Sequence, residues 1–218
     1  MLIGIVGFAG SGKSTVGKII CEKYGYQLDS YASTLKDVAA IMFGWDRKLL
    51  EGDTAESRKW RESVDTFWEN ELDIPGFTPR YAIQHVGTNA IRYNFCMDFW
   101  VLSLKRRWIL QGMPNIVIAD CRFKNEIEFI SKQNGIIIEV MRHDHPSWFE
   151  MMKDVNNGTP DEDIIKRVEE MKENKIIPHV SETSWIGSKI DYTLPNFTNI
   201  TDLTKNIDHI MSSLSNKS

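Results

Sequence analysis

The chain has 218 residues, of which 42% are hydrophobic and 26% charged, and its formal net charge is −4. Such a chain can fill one sizeable core, and its acidic balance argues against a general nucleic-acid binder. No apolar run approaches the roughly 18 residues of a membrane span, and the three scattered cysteines, Cys21, Cys96 and Cys121, make neither a disulfide framework nor a zinc set, which fits a reducing cytoplasm.

Leu2 to Val6 reads as a buried strand; no basic leader or small-residue cleavage site marks it as a signal peptide. Lys13 to Tyr24 reads as a helix with Val16, Ile19 and Ile20 on one face. After a strand-like Gln27 to Tyr31, a second helix is predicted over Leu35 to Trp45. Residues 46–80 are rich in charge and aromatics, with a helix predicted around Ser57 to Asn70 and a loop bounded by Pro75 and Pro79. Helices are predicted over Tyr81 to Arg92 and Asp98 to Gln111, then a strand over Asn115 to Ala119, a helix over Asn125 to Gln133 and a strand over Ile136 to Met141. Residues 143–189 are polar, with a helix over Asp161 to Lys175. Lys189 to Leu194 reads as another strand, and a final helix carries Leu203, Ile207, Ile210, Met211 and Leu214. Strands alternating with helices predict an α/β fold with a parallel sheet covered on both faces. We expect one domain over 1–218, with insertions near 46–79 and 143–182.

Gly7-Phe8-Ala9-Gly10-Ser11-Gly12-Lys13-Ser14 matches G-x-x-x-x-G-K-[ST] between a strand and a helix. Glycines let the backbone turn its N–H groups inward, and the helix N-terminus beyond them favours an anion. The pattern predicts a nucleoside triphosphate site, with Gly10, Ser11, Gly12, Lys13, Ser14 and Thr15 cradling ATP. Lys13 would reach the terminal phosphates, and Ser14 would hold Mg²⁺, with Asp120 as a second candidate. A plain glycine turn would explain the glycines but not the Lys-Ser pair. The loop does not separate a kinase from a switch or a motor.

A kinase for a phosphorylated acceptor needs further cations near the C-terminal ends of the strands. Asp120 and Arg122 follow the strand ending at Ala119, and Glu126 lies one turn on. Lys36 begins the second helix; a solvated lysine is the plainer alternative. Arg80, Gln84 and Gly87 share a face at helical spacing, with Thr88 and Arg92 beyond them; an ordinary amphipathic helix explains them equally well. Arg142 closes a strand and, with Arg167, is a candidate lid residue over ATP. His143, His145 and His179 have no metal-ligand spacing. The tryptophans read as core, except that Trp100 could wall a base pocket.

The phosphate loop, Leu35-Lys36-Asp37, Gln84-His85-Val86-Gly87-Thr88, Asp98-Phe99-Trp100-Val101, Asp120-Cys121-Arg122 with Glu126, and His179-Val180-Ser181-Glu182 occur here in order. This set resembles the deoxynucleoside monophosphate kinases of tailed bacteriophages. The resemblance implies a parallel-sheet kinase core that uses ATP and Mg²⁺ to phosphorylate dGMP, dTMP or a dCMP-type acceptor. It also implies acceptor-site roles for Leu35, Lys36, Arg80, Gln84, Gly87, Thr88, Trp100, Asp120, Arg122, Glu126 and Glu182, with Arg58 as a further phosphate-binding arginine. A homodimer is compatible with it. The stretch 143–178 is longer than in one member of that family, and 46–79 matches the family poorly. The expected partners are small nucleotides, with no nucleic acid or membrane. The expected chemistry is direct in-line transfer, in which Lys13, Arg122 and Asp120 act. Rival readings are a kinase of a nucleoside or of dephospho-coenzyme A, or a regulatory nucleotide-binding ATPase.

Overall fold

The computed structural model describes residues 1–215. The chain forms two compact units: Met1–Ser30 together with the chain from Gln111 onward, and Tyr31–Leu110.

Among the described residues of the first unit, β1 (Leu2–Val6), β2 (Gln27–Asp29), β3 (Ile116–Ile118), β4 (Ile136–Met141) and β5 (Tyr192–Pro195) form one sheet in the order β2-β3-β1-β4-β5. Every pairing is parallel, with Ile3 opposite Val117 on one side and Ile136 on the other. The central strand β1 is buried throughout, as an unbroken apolar run in a doubly covered sheet should be. On one face, α1 (Lys13–Tyr24) and α11 (Ile200–Ser215) lay Val16, Ile20, Leu203, Ile207 and Met211 against Ile3, Ile5 and Ile138. Each such fully buried aliphatic side chain contributes about 1.5–3 kcal/mol. On the other face, α7 (Lys124–Lys132) packs so closely that a Cβ on Gly4 would lie 2.5 Å from Ile130 Cδ1. The segment after β4 carries α8 (Phe149–Asn157), α9 (Glu162–Glu173) and the single turn α10 (Val180–Thr183).

The second unit is helical among its described residues: α2 (Ser33–Phe43), α3 (Ala55–Glu62), α4 (Thr66–Leu72), α5 (Pro79–Gln84), a π-helical segment (His85–Tyr93) and α6 (Phe99–Leu110). Its aromatic core is built on Phe43, which stacks on Trp45 at 4.4 Å and meets Trp68 edge-on.

The α/β expectation holds, with three local corrections. The helix expected over Ser57 to Asn70 is two helices, because Asp65 accepts the Trp68 N–H at 3.2 Å and so starts a second one. The strand expected over Lys189 to Leu194 begins at Tyr192 and includes Pro195; on the sheet's last strand a proline leaves no ladder bond unmade. The helix expected over Tyr81 to Arg92 widens to π geometry at His85. The α-helical spacing that aligned Arg80 and Gln84 with Gly87 therefore stops applying there. Helix α8 falls in the polar stretch 143–189, at residues for which no helix is predicted.

Candidate active site

The phosphate loop joins β1 to α1, and its backbone has no room for side chains at two glycines. Gly7 has φ 136°, and a Cβ there would lie 2.5 Å from the Val140 carbonyl oxygen. Gly12 has φ 104°, and its Cβ would lie 2.4 Å from Asn196 Nδ2. Both dihedrals are in the region open mainly to glycine. Asn196, buried just beyond β5, donates from Nδ2 to the Ser11 carbonyl at 2.8 Å and from its backbone N–H to Met141 at 2.7 Å. It ties the loop to the ends of β4 and β5. Sequence reasoning passed over Asn196; its place just after a strand, behind Pro195, was the available signal.

Lys13 folds back over the loop, donating from Nζ to the carbonyls of Gly7 and Phe8 at 2.8 Å each. Burial lowers its pKa to about 8; Arg122 adds repulsion, while Glu182 and Asp120 pull the other way. A desolvated cation of this kind gains most from a bound anion. Arg122 is the second cation. Burial opposes its charge, but Glu182, Asp120 and Glu126 outweigh that and hold it above its ordinary value. Its guanidinium donates to the Ser181 carbonyl at 3.2 Å and pairs with the buried Glu182 carboxylate.

Glu126 is buried and serves the turn. Its Oε2 accepts the backbone N–H groups of Arg122 at 2.8 Å and Phe123 at 3.1 Å, which caps α7 and orients the Arg122 backbone. Asp120, at the end of β3, accepts from Ser30 Oγ at 2.6 Å, and Ser30 N–H in turn donates to Asp29 at 2.7 Å. Sequence reasoning also missed Ser30 and Asp29, because β2 is only three residues long and mostly exposed.

Beside the loop lies an open cavity of about 670 Å³, with Gly10, Thr15, Arg142, Asn196, Thr198 and Asn199 among its lining residues. Arg142 thus lies on the same cavity as the phosphate loop. Arg167 is on α9 and exposed. His143 also lines the cavity, His145 Nε2 lies 2.6 Å from Glu139 Oε1, and His179 Nδ1 accepts the Ser181 N–H at 3.2 Å.

The remaining sequence candidates belong to the second unit. Trp100 is buried and donates from its indole N–H to the Gly87 carbonyl at 2.8 Å. A Cβ on Gly87 would lie 2.5 Å from Leu35 Cδ2, so Leu35, Gly87 and Trp100 form one packed group, with Thr88 also buried. Lys36 pairs with Glu51 at 2.6 Å. Arg58 donates to the Asp53 carbonyl at 3.1 Å, so both cations reach the turn around Gly52. Arg80 pairs with Glu62 at 2.7 Å, and Gln84 is the last residue before the π-helical segment.

A parallel β2-β3-β1-β4-β5 sheet with a glycine phosphate loop after its central strand defines a nucleotide-binding fold of the P-loop class. A protein of Acanthamoeba polyphaga mimivirus named "Putative deoxynucleotide monophosphate kinase" is 27% identical over 168 residues, covering 69% of this chain and 82% of that protein. No protein-family model matches the chain. Among solved structures, TT1252 from Thermus thermophilus aligns over 98% of this chain and 97% of its own, at 17% identity and TM-score 0.44. Shikimate kinase from Bacteroides thetaiotaomicron aligns over 99% and 98%, at 14% identity and TM-score 0.40. No helix among the described residues is long and apolar enough to cross a membrane.

Proposed function

We propose that this enzyme transfers the γ-phosphoryl group of ATP to a deoxynucleoside monophosphate, of the dGMP, dTMP or dCMP type. The observation that carries the reading is the pairing of Lys13 with Arg122. Lys13 lies on the phosphate loop and Arg122 follows β3, each held by its own hydrogen bonds, and the charge of Arg122 adds to the burial that lowers the Lys13 pKa. A polyanion on each side of a transferring phosphoryl group calls for such a pair. The mimivirus relative carries the same activity in its name.

The nucleoside of ATP takes the cavity lined by Arg142, Thr198 and Asn199, and its phosphates lie on the loop. Lys13 exchanges the carbonyls of Gly7 and Phe8 for phosphate oxygens. An oxygen of the acceptor phosphate attacks the γ-phosphorus in line, the bond to the bridging oxygen of ADP breaks, and ADP leaves with those electrons. The nucleophile is already anionic, so no residue need remove a proton. Arg122 neutralises charge spreading over the transferring oxygens, oriented by Glu182 and by the turn that Glu126 caps. The Ser14 hydroxyl and Asp120 carboxylate are hard oxygen donors, which fits Mg²⁺, an ion held by few protein oxygens plus phosphate; when bound it would neutralise charge on the triphosphate. On the acceptor side, Lys36, Arg58 and Arg80 are the cations we assign to the nucleotide, and Gln84, Gly87 and Thr88 the polar segment beside its base. Leu35 and Trp100 act through Gly87.

The hydrogen bond from Ser30 to Asp120 favours a second reading. A carboxylate fixed at the end of β3 is placed as a base for a hydroxyl acceptor, a nucleoside or dephospho-coenzyme A. One panel separates them: purified enzyme with ATP and Mg²⁺, offered each dNMP and NMP, several nucleosides and dephospho-coenzyme A, with Lys13→Ala as control. A dNDP product that disappears in the control is the expected result. Phosphorylation of a hydroxyl substrate alone would select the second reading. ATP hydrolysis with no phosphorylated product would point to a regulatory ATPase.

A further inference from the structure

We propose that Phe8 is a positioning residue that links occupancy of the phosphate loop to the pose of Arg122. The inference rests on the donor half of the function proposed above. Phe8 is a variable position of the loop motif, yet its ring sits edge-on among four aromatic rings. Their centroids lie at 5.4 Å for Trp185, 5.7 Å for Trp148, 6.2 Å for Phe149 and 6.5 Å for His145. The box is pinned to the sheet. His145 stacks on Phe149 at 3.7 Å and bonds the buried Glu139 carboxylate, and Glu139 pairs with Val6 in the register of β1 and β4.

Two links leave this box. The Phe8 carbonyl accepts Lys13 Nζ at 2.8 Å, a bond that must yield when Lys13 turns to phosphate. On the far side, the buried Trp185 donates its indole N–H to the Glu182 carbonyl at 2.9 Å, and the Glu182 side chain holds Arg122. Phe8, Trp185 and Glu182 thus connect the donor-side cation to the second cation by packed rings and hydrogen bonds. A shift of the loop backbone at Phe8 is carried by its ring to Trp185, and by Trp185 to the residue that aims Arg122. Rigid rings suit the task, because a two-rotor side chain in a packed box transmits displacement instead of absorbing it.

The test is hydrogen–deuterium exchange with and without ATP and Mg²⁺, followed in the peptides covering residues 7–15 and 180–186. It needs no acceptor, so it reads separately from the dNMP assay. In the wild type, ATP should slow exchange in both peptides, by about fivefold or more at 180–186. In Phe8→Ala the loop peptide should remain protected while the response at 180–186 is lost; Phe8→Leu, which keeps apolar packing, should retain part of it. Equal ATP protection of 180–186 in Phe8→Ala and wild type, or none in the wild type, overturns the proposal. Should Phe8→Ala fail to fold, Trp185→Phe decides. It keeps a ring in the box but deletes the N–H to Glu182, and retention of the full response there overturns the proposal equally. In turnover, Phe8→Ala should raise the KM of the acceptor about tenfold along with that of ATP. An acceptor KM unchanged while the ATP KM rises confines Phe8 to its own loop and removes the link. Absence of dNDP formation by the wild type sinks the acceptor assignment and leaves the exchange result standing. Absence of ATP protection at 7–15 in the wild type removes both.

Discussion

The two units of this protein build their candidate functional residues in different ways. The sheet-containing unit places them where regular structure stops: a glycine loop after β1, Asp120 and Arg122 after β3, Arg142 after β4 and Asn196 after β5. Asp120 is held by Ser30, Arg122 by Ser181 and Glu182, and Asn196 by the Ser11 and Met141 carbonyls, all outside the sheet's apolar core, so a side chain can change without disturbing that core. The helical unit places its candidates within the packing itself. Gly87 leaves no room for a methyl against Leu35, and Trp100 spends its indole N–H on Gly87. Substitutions in the first unit should therefore act on turnover, and those in the second on stability and acceptor affinity together.

The strongest way to break this contrast is Lys13→Ala. We expect kcat/KM for ATP to fall about 10²–10³-fold, as for loss of one preorganised charge. The melting temperature should not drop, because the cation removed is a desolvated one. A marked drop would show that the loop depends on the Lys13 bonds to Gly7 and Phe8. Next comes Arg122→Gln, with an expected loss of about 10²-fold in turnover. It leaves Glu182 buried with a weaker partner, so stability should fall by about 1–2 kcal/mol, the guanidinium being partly exposed and screened. The double variant with Glu182→Gln should recover the melting temperature and not the activity. Recovery of both would make the pair purely structural.

The pH dependence sharpens the same point with opposite signs in two measurements. Lys13 loses its proton in the free folded enzyme at about 8, against an ordinary 10.5. Its contribution to kcat/KM for ATP should therefore decline as pH rises through about 8, by up to tenfold per unit. Stability should move the other way. Between about 8 and 10.5 the unfolded chain holds the proton that the folded chain has released, so this group makes unfolding harder as pH rises. Parallel pH–rate and pH–melting curves on wild type and Lys13→Met isolate both effects.

The two smallest effects belong to the helical unit. Gly87→Ala should cost about 1–3 kcal/mol through overpacking against Leu35, read as a lower denaturation midpoint with an unchanged m value. Trp100→Phe should cost about 1 kcal/mol by leaving the buried Gly87 carbonyl without its donor. Both should raise the acceptor KM and leave the ATP KM unchanged. A selective change in ATP KM would abolish the functional division between the units.

Local pattern reached furthest in the sheet unit. The P-loop motif needs only eight consecutive residues. The two strands β1 and β3 are apolar runs buried throughout, and α1 begins at Lys13 and ends at Tyr24 as its spacing implied. Pattern served less well where distant partners choose the geometry. Asp65 begins a second helix after α3 has ended at Glu62, partly because its N–H reaches the Phe77 carbonyl. The change to π geometry at His85 falls where Gly87 must meet both Leu35 and Trp100. That Glu126 is a buried cap was not legible in the sequence, since only the folded turn brings two N–H groups to one carboxylate oxygen.

What the sequence determined by itself was the class of chemistry: a glycine turn with Lys13 and Ser14 at fixed offsets encodes a phosphate cradle in backbone dihedrals alone. Tertiary structure decided which charges meet. Arg122 and Glu182 are 60 residues apart in the chain, and Asn196 is 185 residues from the Ser11 carbonyl it supports. Electrostatic and hydrogen-bond energies depend on separations of a few ångströms, and no local pattern specifies those across such distances in sequence.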